Sequence, residues 1–190
     1  MAKQYIKLTT KKELQVFMDS TRQRMIRILE IEGKPITAKH LADIMSITPS
    51  SAKYHLTQLE NIGLVSVDHT ELIHGILATY YHLEPVEVRL GMNESAFSNE
   101  KTLIAENLLM TIFSNFTEQI KNHPEVSNDD CFFGDMRTGV LQLTQAEANE
   151  LHSLIKSYIE SHSKPKDGTM PFEFSVLAYR VQPEKNNKES

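Results

Sequence analysis

The sequence predicts an α+β fold with two parts: a helical N-terminal part that ends in a β-hairpin, and a C-terminal part that contains a long helix. Three observations support this prediction. Within the first 63 residues, helix-capping residues precede segments in which apolar residues recur at the spacing of an α-helix. Two β-prone runs separated by a turn follow directly. Beyond a connector, a segment from Ser98 to about Asn122 again shows helical spacing.

Length and composition are those of a globular protein. The 190 residues suffice for one large domain or two small ones, and 40% apolar and 24% charged residues argue against general disorder. No run of about 18 apolar residues could span a bilayer, and residues 1–8 lack the apolar core of a secretory signal. A single cysteine, Cys131, cannot form an intrachain disulfide. We therefore expect a cytoplasmic protein without a membrane partner.

Charge is distributed unevenly along the chain. The net charge is −5, yet residues 1–67 carry ten Lys and Arg against six acidic residues, a local balance of +4. Residues 91–190 carry nine basic and fifteen acidic residues, a balance of −6. A mildly basic first half joined to an acidic second half is compatible with nucleic-acid binding by the first half alone. Chance variation of solvated surface charge is the alternative explanation.

Two capping patterns predict the first helices. Thr10-Lys-Lys-Glu13 has the spacing of a capping box, in which a hydroxyl and a carboxylate satisfy free backbone amides, and it predicts a short helix to about Met18. Ser20-Thr-Arg-Gln23 repeats the pattern and predicts a stronger helix that ends at Gly33. Pro35 then enforces a break.

A pair of short helices follows. Thr37 is expected to cap the first and Thr48 the second, with Pro49 in the first helical position, where its missing N–H costs nothing. Gly63 ends the second helix. Two helices joined by a tight turn form a helix-turn-helix, whose second helix can lie in the major groove of DNA.

The second helix of this pair carries a polar face with little charge. A merely solvated face usually holds more Glu and Lys, whereas short polar side chains with one lysine suit base edges and phosphates. His55 borders the apolar face, so a structural role and a DNA contact are both open for it. The candidates for DNA contact, which include the start of the preceding helix and one hairpin residue, are Thr37, Lys39, Thr48, Ser50, Ser51, Lys53, Tyr54, His55, Thr57, Gln58 and His74.

A β-hairpin is predicted directly after the helix pair. Leu64–His69 and Ile76–Leu83 are β-prone, and Thr70–Gly75 separates them. A helix-turn-helix followed by such a hairpin, or wing, is a winged helix. We expect this domain to span residues 1–90, with a linker at 91–97, a second domain at 98–183 and a disordered tail at 184–190.

The C-terminal part is predicted to be an α+β dimerisation domain. The long helix from Ser98 is apolar over more than one stripe, so it is expected to pack against both its own domain and a partner chain. The expected dimer residues are Leu103, Ile104, Leu108, Leu109, Ile112, Phe113 and Phe116. Cys131–Leu143 and the alternating run Phe172–Val181 predict strands, and a capping box at Thr144-Gln-Ala-Glu147 predicts a helix between them. This β-α-β segment either holds an effector pocket or completes a core.

Several separated segments resemble one protein family. Asp19–Leu29 resembles the opening helix of ArsR-like winged-helix regulators, and Ala52–Val65 resembles their recognition helix and first wing strand. Gly75–His82 is similar to the second wing strand of one subgroup, and Leu141–Leu151 resembles part of that subgroup's C-terminal extension. The resemblance implies a homodimeric, sequence-specific repressor. A palindromic operator would then place two recognition helices about one DNA turn apart.

The sequence departs from the metal-sensing members of that family. Founding members bind metal through cysteine pairs near the helix-turn-helix or through Asp/His sets on a terminal helix, whereas residues 37–63 contain no cysteine. The spacing of His69, His74 and His82 matches no standard ligand pattern, so neither a metal nor another cofactor is expected. The wing also has His74, Thr79 and His82 where the subgroup tends to place basic residues. This predicts wing contacts to phosphate that are weak or that depend on histidine protonation.

Other functional classes receive less support from the sequence. No Gly-rich phosphate loop, nucleophile elbow or paired-carboxylate pattern points to an enzyme. Cys131 beside Phe132 and Phe133 is interpreted as a core or strand cysteine rather than a redox centre. The prediction is therefore a regulator of transcription that binds double-stranded DNA as a homodimer, with an unidentified small-molecule effector as a further candidate partner. The alternative is a winged helix that contacts proteins and has no DNA target.

Overall fold

A computed structural model describes residues 5–90, 95–123 and 133–182. The predicted tail and most of the predicted linker lie outside these residues, as does Cys131. The elements in chain order are β1 (Tyr5–Lys7), α1 (Lys11–Met18), α2 (Ser20–Glu32), β2 (Ile36–Thr37), α3 (Ala38–Met45), α4 (Pro49–Asn61), β3 (Val65–Ile73), β4 (Ile76–Leu83), β5 (Glu87–Arg89), α5 (Ser98–Asn122) and α6 (Gln145–Ser161). The predicted α+β class, with an N-terminal helix-turn-helix and an antiparallel wing, is confirmed.

Local capping chemistry starts most helices where the sequence predicts. The Glu13 amide donates to the Thr10 hydroxyl at 3.2 Å, and the Thr10 amide donates to the Glu13 carboxylate at 2.9 Å. The same reciprocal pair occurs at Thr144 and Glu147, so two of the three predicted capping boxes are confirmed. The prediction was wrong at α2, because Asp19 caps this helix and Ser20 is already helical.

The contacts divide the chain into two compact units. The first comprises the described residues within Met1–Glu106 and Thr138–Pro171, and the second those within Asn107–Arg137 and Phe172–Ser190. In the first unit the apolar faces of α1 to α4 meet over a core in which Leu14, Met25, Leu41, Leu56 and Leu59 are fully buried. Each such side chain contributes about 1.5–3 kcal/mol through burial. The core therefore holds α4 by one face and leaves the other free.

The wing is longer than predicted. β3 and β4 pair in antiparallel fashion up to Ile73 and Ile76, so only His74 and Gly75 form the turn. Both turn residues have positive φ, 47° and 80°, which is the backbone pattern of the two-residue turns that match strand twist. The predicted turn over Thr70–Gly75 is wrong for this reason, since its first four residues continue the strand.

Two short pairings were not predicted. β2 adds a third strand to the wing sheet by pairing Ile36 with Tyr81, which attaches the start of α3 to the wing. β1 pairs in parallel with β5 through three residues each. Neither β1 nor β2 exceeds three residues, and both depend on partners far away in sequence.

The C-terminal strands are absent from the described residues. α5 and α6 have the predicted extents, but residues 133–143 and 172–181 form no strand. A strand is stable only when a neighbour satisfies its backbone groups, and no described segment pairs with either run. Phe172, Phe174 and Val176 remain more than half exposed. Within the described part of the chain, the alternation therefore does not correspond to a sheet.

Gly33 offers a test of packing at the end of α2. Its φ is 60°, and a Cβ there would lie 2.6 Å from Pro165 Cγ, whereas Gly75 has φ 80° and no neighbour within 4 Å of such a Cβ. Alanine at either site incurs the left-handed backbone cost of about 1–2 kcal/mol, and only Gly33→Ala adds a clash. We expect Gly33→Ala to lower the free energy of unfolding by about 1 kcal/mol or more beyond Gly75→Ala in urea denaturation. Equal losses would contradict the contact with Pro165.

Candidate nucleic-acid interface

The turn between α3 and α4 sets the direction of α4. Ser46 ends α3 in the left-handed conformation, with φ 57°, and the Ile47 amide donates to the Ala42 carbonyl at 3.0 Å. The Thr48 hydroxyl then accepts from the Ser51 amide at 3.2 Å, and Pro49 occupies the first turn. The predicted helix-turn-helix therefore exists, with both of its caps at the predicted residues.

The exposed face of α4 is polar and nearly uncharged. Ala52, Leu56 and Leu59 are at most 1% exposed on the core side, whereas Ser50, Lys53, Tyr54 and Thr57 are exposed and Ser51 and Gln58 are half-buried. The aromatic ring of Tyr54 is prominent, since the residue is 58% exposed. This face offers hydrogen-bond donors and acceptors with one positive charge, a composition that suits base edges.

Three candidate hydroxyls already make intrachain hydrogen bonds. Thr37 accepts from the His40 amide at 3.1 Å, and Thr48 caps α4 as described. Both hydroxyls keep their own protons, so each can still donate to a phosphate. Thr57 instead donates to the Lys53 carbonyl at 3.0 Å, which leaves its oxygen as an acceptor. Lys39 near the start of α3 is exposed.

His55 lies beside a buried arginine. Arg22 is 8% exposed, and its Nη1 is 3.3 Å from His55 Nδ1. The rest of the guanidinium donates to the main chain of α1, from Nε to the Val16 carbonyl and from Nη2 to the Gln15 carbonyl at 3.2 Å. Asp19 completes the cluster, because its Oδ2 is 3.6 Å from Arg22 Nη2. The geometry therefore gives His55 a structural contact, which was one of the two roles left open for it.

Sequence reasoning missed Arg22, although a pattern could have found it. Arg22 stands three residues before Met25 and seven before Leu29, on the same helical stripe. All three of these residues are buried. A charged residue on the core stripe requires partners. Asp19 three residues earlier is the partner that the sequence offered.

The wing carries carboxylates and histidines instead of basic residues. His69 Nδ1 is 2.6 Å from Asp68 Oδ2, and His82 lies between Asp68 and Glu84 at 3.6 Å from each. No Lys or Arg occurs in Val65–Leu83. The wing over Val65–Leu83 therefore carries the carboxylates of Asp68 and Glu71 and no Lys or Arg.

Two aromatic rings stack within the wing and link its two strands. The rings of His69 and Tyr80 stack at 4.3 Å with an interplanar angle of 11°, and the Tyr80 hydroxyl donates to Glu71 at 3.2 Å. Desolvation, together with the charge and hydrogen bond of Glu71, raises the pKa of Tyr80. The phenol therefore stays a neutral donor at physiological pH, and the Glu71 charge is partly engaged within the wing.

The tip of the wing is aliphatic. Leu72 pairs with Leu77 and Ile73 pairs with Ile76 on either side of the turn, and all four are exposed. Because neighbouring pairs point to opposite faces of a ribbon, the tip is apolar on both sides. The candidate His74 lies in the turn itself with φ 47° and is exposed. We define these four aliphatic residues as the wing tip.

The candidate dimer residues of α5 differ in exposure. Ile104 is 2% exposed, so it packs within its own chain. Leu103, Leu109 and Phe113 are exposed, and Leu108, Ile112 and Phe116 are half-buried. The exposed members form the part of this set that a partner could cover.

The second unit contains one open cavity of note among the described residues. It has a volume of about 520 Å³, and Phe116, Ile120, His123, Phe133, Gly134, Asp135 and Met136 line it. Asp135 in its wall is bonded to Arg137 at 2.9 Å. Within the described part of the chain, no group of three or more His, Cys, Asp and Glu side chains could hold a metal ion. No helix of this part is long and apolar enough to cross a membrane.

Comparison with known proteins identifies the same segment. Residues 17–68 match a family model described as a helix-turn-helix domain. This match runs from the end of α1 into β3 and includes the whole of α2, α3 and α4, and it supports a DNA-binding regulator of transcription. No curated protein matches the chain.

One solved structure with some similarity is the heme sensor protein PefR from Streptococcus agalactiae in complex with heme. The two chains share 12% identity over 80% of each, with a TM-score of 0.32. This likeness is too remote to carry any inference about the present chain.

Proposed function

We propose that this chain is a homodimeric, sequence-specific DNA-binding repressor of the ArsR-like winged-helix group, with α4 as its recognition helix. The observation that carries the proposal is the exposed face of α4. It is polar and nearly neutral, and it belongs to a helix whose ends and core side are fixed by caps and packing. A rigid helix of this kind can place side chains in the major groove with little loss of entropy on binding.

Within this face, the proposed roles follow from chemistry. Tyr54 and Gln58 are long enough to reach base edges and can each donate and accept hydrogen bonds. Lys39 and Lys53, together with the hydroxyls of Thr37 and Thr48, can bind phosphates at the helix starts. The wing contributes little attraction to phosphate, so affinity depends on the helix pair and on dimerisation.

Substitutions on α4 test base recognition. Tyr54→Ala and Gln58→Ala should each weaken binding to the specific site by about 1–3 kcal/mol and relax its sequence preference. Lys53→Ala is the matched control, because loss of a phosphate contact weakens binding to all sequences alike and reduces the salt dependence. Fluorescence anisotropy with duplexes from the region upstream of the gene measures both quantities. Unchanged affinity and preference in both variants would reject α4 as the recognition helix.

Dimerisation is required by this proposal, since one chain presents one recognition helix and a palindrome needs two. The exposed apolar side chains of α5 support it, because an apolar surface of this kind is costly to leave in water. Phe113, at 54% exposure, is the largest of the exposed candidates.

A substitution on α5 tests the proposed dimer. Phe113→Ser should convert the chain to a monomer at micromolar concentration in size-exclusion chromatography with light scattering, because it removes an aromatic anchor. Leu72→Ser at the wing tip is the matched control, since Leu72 is similarly exposed and should not affect assembly. A wild-type protein that is monomeric at this concentration would remove the basis of the palindromic model.

The wing tip favours a second candidate function, namely a winged helix that contacts proteins and has no DNA target. Exposed aliphatic residues beside carboxylates are a poor surface for phosphates and a suitable one for an apolar protein site. Titration with a duplex at low salt separates the two functions, because phosphate attraction is strongest there. Binding at low salt that weakens steeply with added salt supports the DNA-binding function. No binding at low salt supports the protein-contact function.

A further inference from the structure

Arg22 links three helices through one side chain. Its Nε and Nη2 donate to the Val16 and Gln15 carbonyls at the end of α1, and its Nη1 lies 3.3 Å from His55 Nδ1 on α4. The side chain is only 10% exposed. Its direction is thus fixed by three contacts on two other helices, and the third of these contacts reaches the proposed recognition helix.

The contact with Arg22 determines which nitrogen of His55 carries the proton. A guanidinium has five N–H donors and no acceptor, so Nδ1 must be the acceptor and must be unprotonated. Asp19 does not provide an alternative partner for a protonated Nδ1. Its Oδ1 is 3.9 Å away, too far for a hydrogen bond, and accepts from the Arg22 amide at 3.0 Å. The neutral ring therefore carries its hydrogen on Nε2.

The Nε2 atom of His55 is available to an outside partner. Among the described residues, the only buried side-chain nitrogen or oxygen without a hydrogen-bond partner belongs to His82. His55 Nε2 has no hydrogen-bond partner within residues 5–90, 95–123 and 133–182, so it is not buried there and reaches solvent through the 15% of the side chain that is exposed. Helical spacing places His55 on the same flank of α4 as Ser51 and Gln58.

The same ring also touches a candidate base-contacting residue. The rings of His55 and Tyr54 meet edge to face at 5.2 Å with an interplanar angle of 73°. Fixing the imidazole therefore restricts the exposed phenol beside it. The line of contacts runs from the end of α1 through Arg22 and His55 to Tyr54.

We propose that Arg22 is a positioning residue for DNA binding: it holds His55 as the Nε2–H tautomer, so that this N–H donates to a DNA phosphate and the ring orients Tyr54. This inference rests on the proposed DNA-binding function and specifies how one flank of α4 binds.

The tautomer can be measured on the full chain without DNA. Long-range ¹H–¹⁵N correlation spectra at pH 8 distinguish Nδ1–H from Nε2–H imidazoles, and the His55 signals are those that His55→Gln removes. We expect the Nε2–H pattern in the wild-type protein and a shift towards mixed tautomers in Arg22→Lys, because one ammonium cannot replace the guanidinium fork. Arg24→Lys, at an exposed position of α2, should leave the pattern unchanged. An Nδ1–H tautomer, or no change in Arg22→Lys, overturns the inference.

A pair of conservative variants at His55 tests the DNA contact while keeping Arg22. The amide nitrogen of Gln lies near the position of Nε2, and that of Asn lies near Nδ1. His55→Gln should therefore stay within about threefold of the wild-type Kd, whereas His55→Asn and His55→Ala should lose about 10- to 150-fold, the effect of one hydrogen bond to a charged group. Equal affinities for the Gln and Asn variants would overturn the inference. Because both variants retain the native Arg22, this test holds even if Arg22→Lys fails to fold.

Different results would reject the proposed DNA-binding function and the proposed role of Arg22 and His55. Loss of all duplex binding by the wild-type protein at low salt rejects the proposed function itself. Retained binding with equal His55→Gln and His55→Asn affinities rejects only the role of Arg22 and His55. Retained binding with the expected order of affinities and the Nε2–H tautomer supports both.

Discussion

The first unit depends on the hydrogen bonds that satisfy the last carbonyls of α1. The last carbonyls of a helix have no partner within it, and here the side chains that begin α2 supply the missing donors. Arg22 donates to the Gln15 and Val16 carbonyls, and Gln23 Nε2 donates to the Phe17 carbonyl at 2.6 Å. A cation at the negative end of a helix dipole is also favourable. The corner between α1 and α2 is therefore closed by hydrogen bonds, and it presents the Arg22 guanidinium to α4.

This arrangement gives α4 one side that packs against the core and one side that faces solvent. Its core side is held by Leu56 and Leu59 and its flank by the Arg22 contact to His55, so the exposed side chains of Lys53 and Tyr54 are not needed for packing against the core. In the wing, by contrast, the exposed polar side chains interact with one another. Asp68 pairs with His69, His69 stacks on Tyr80, and the Tyr80 hydroxyl donates to Glu71. Within residues 5–83, every Lys and Arg correspondingly lies before residue 54. This agrees with the uneven charge along the chain.

The sequence predicted the elements whose causes are local. Capping boxes at Thr10 and Thr144, the Thr37 and Thr48 caps, and the left-handed end at Gly33 involve residues within four positions of one another, so spacing alone reveals them. The error at Ser20 was also local, because Asp19 one residue earlier is an equally good cap. In contrast, β1, β2 and the Arg22–His55 contact join residues 33 or more positions apart. A pattern in one segment cannot identify such a partner.

The predicted C-terminal strands were wrong for a different reason: an alternating pattern does not identify the partner of a strand. Alternating apolar residues over Phe172–Val181 indicate that one face of this run is meant to be covered, but not which chain covers it. Phe172, Phe174 and Tyr179 of this run and Phe113 of α5 remain exposed, whereas the helix-turn-helix has a buried core. The helix-turn-helix thus buries its apolar faces, whereas these aromatic residues of the second unit stay exposed in the part of the chain that the structure describes. Under the proposed function, a second chain would cover these residues, and dimerisation would control affinity for a two-fold site while α4 of each chain stays preformed.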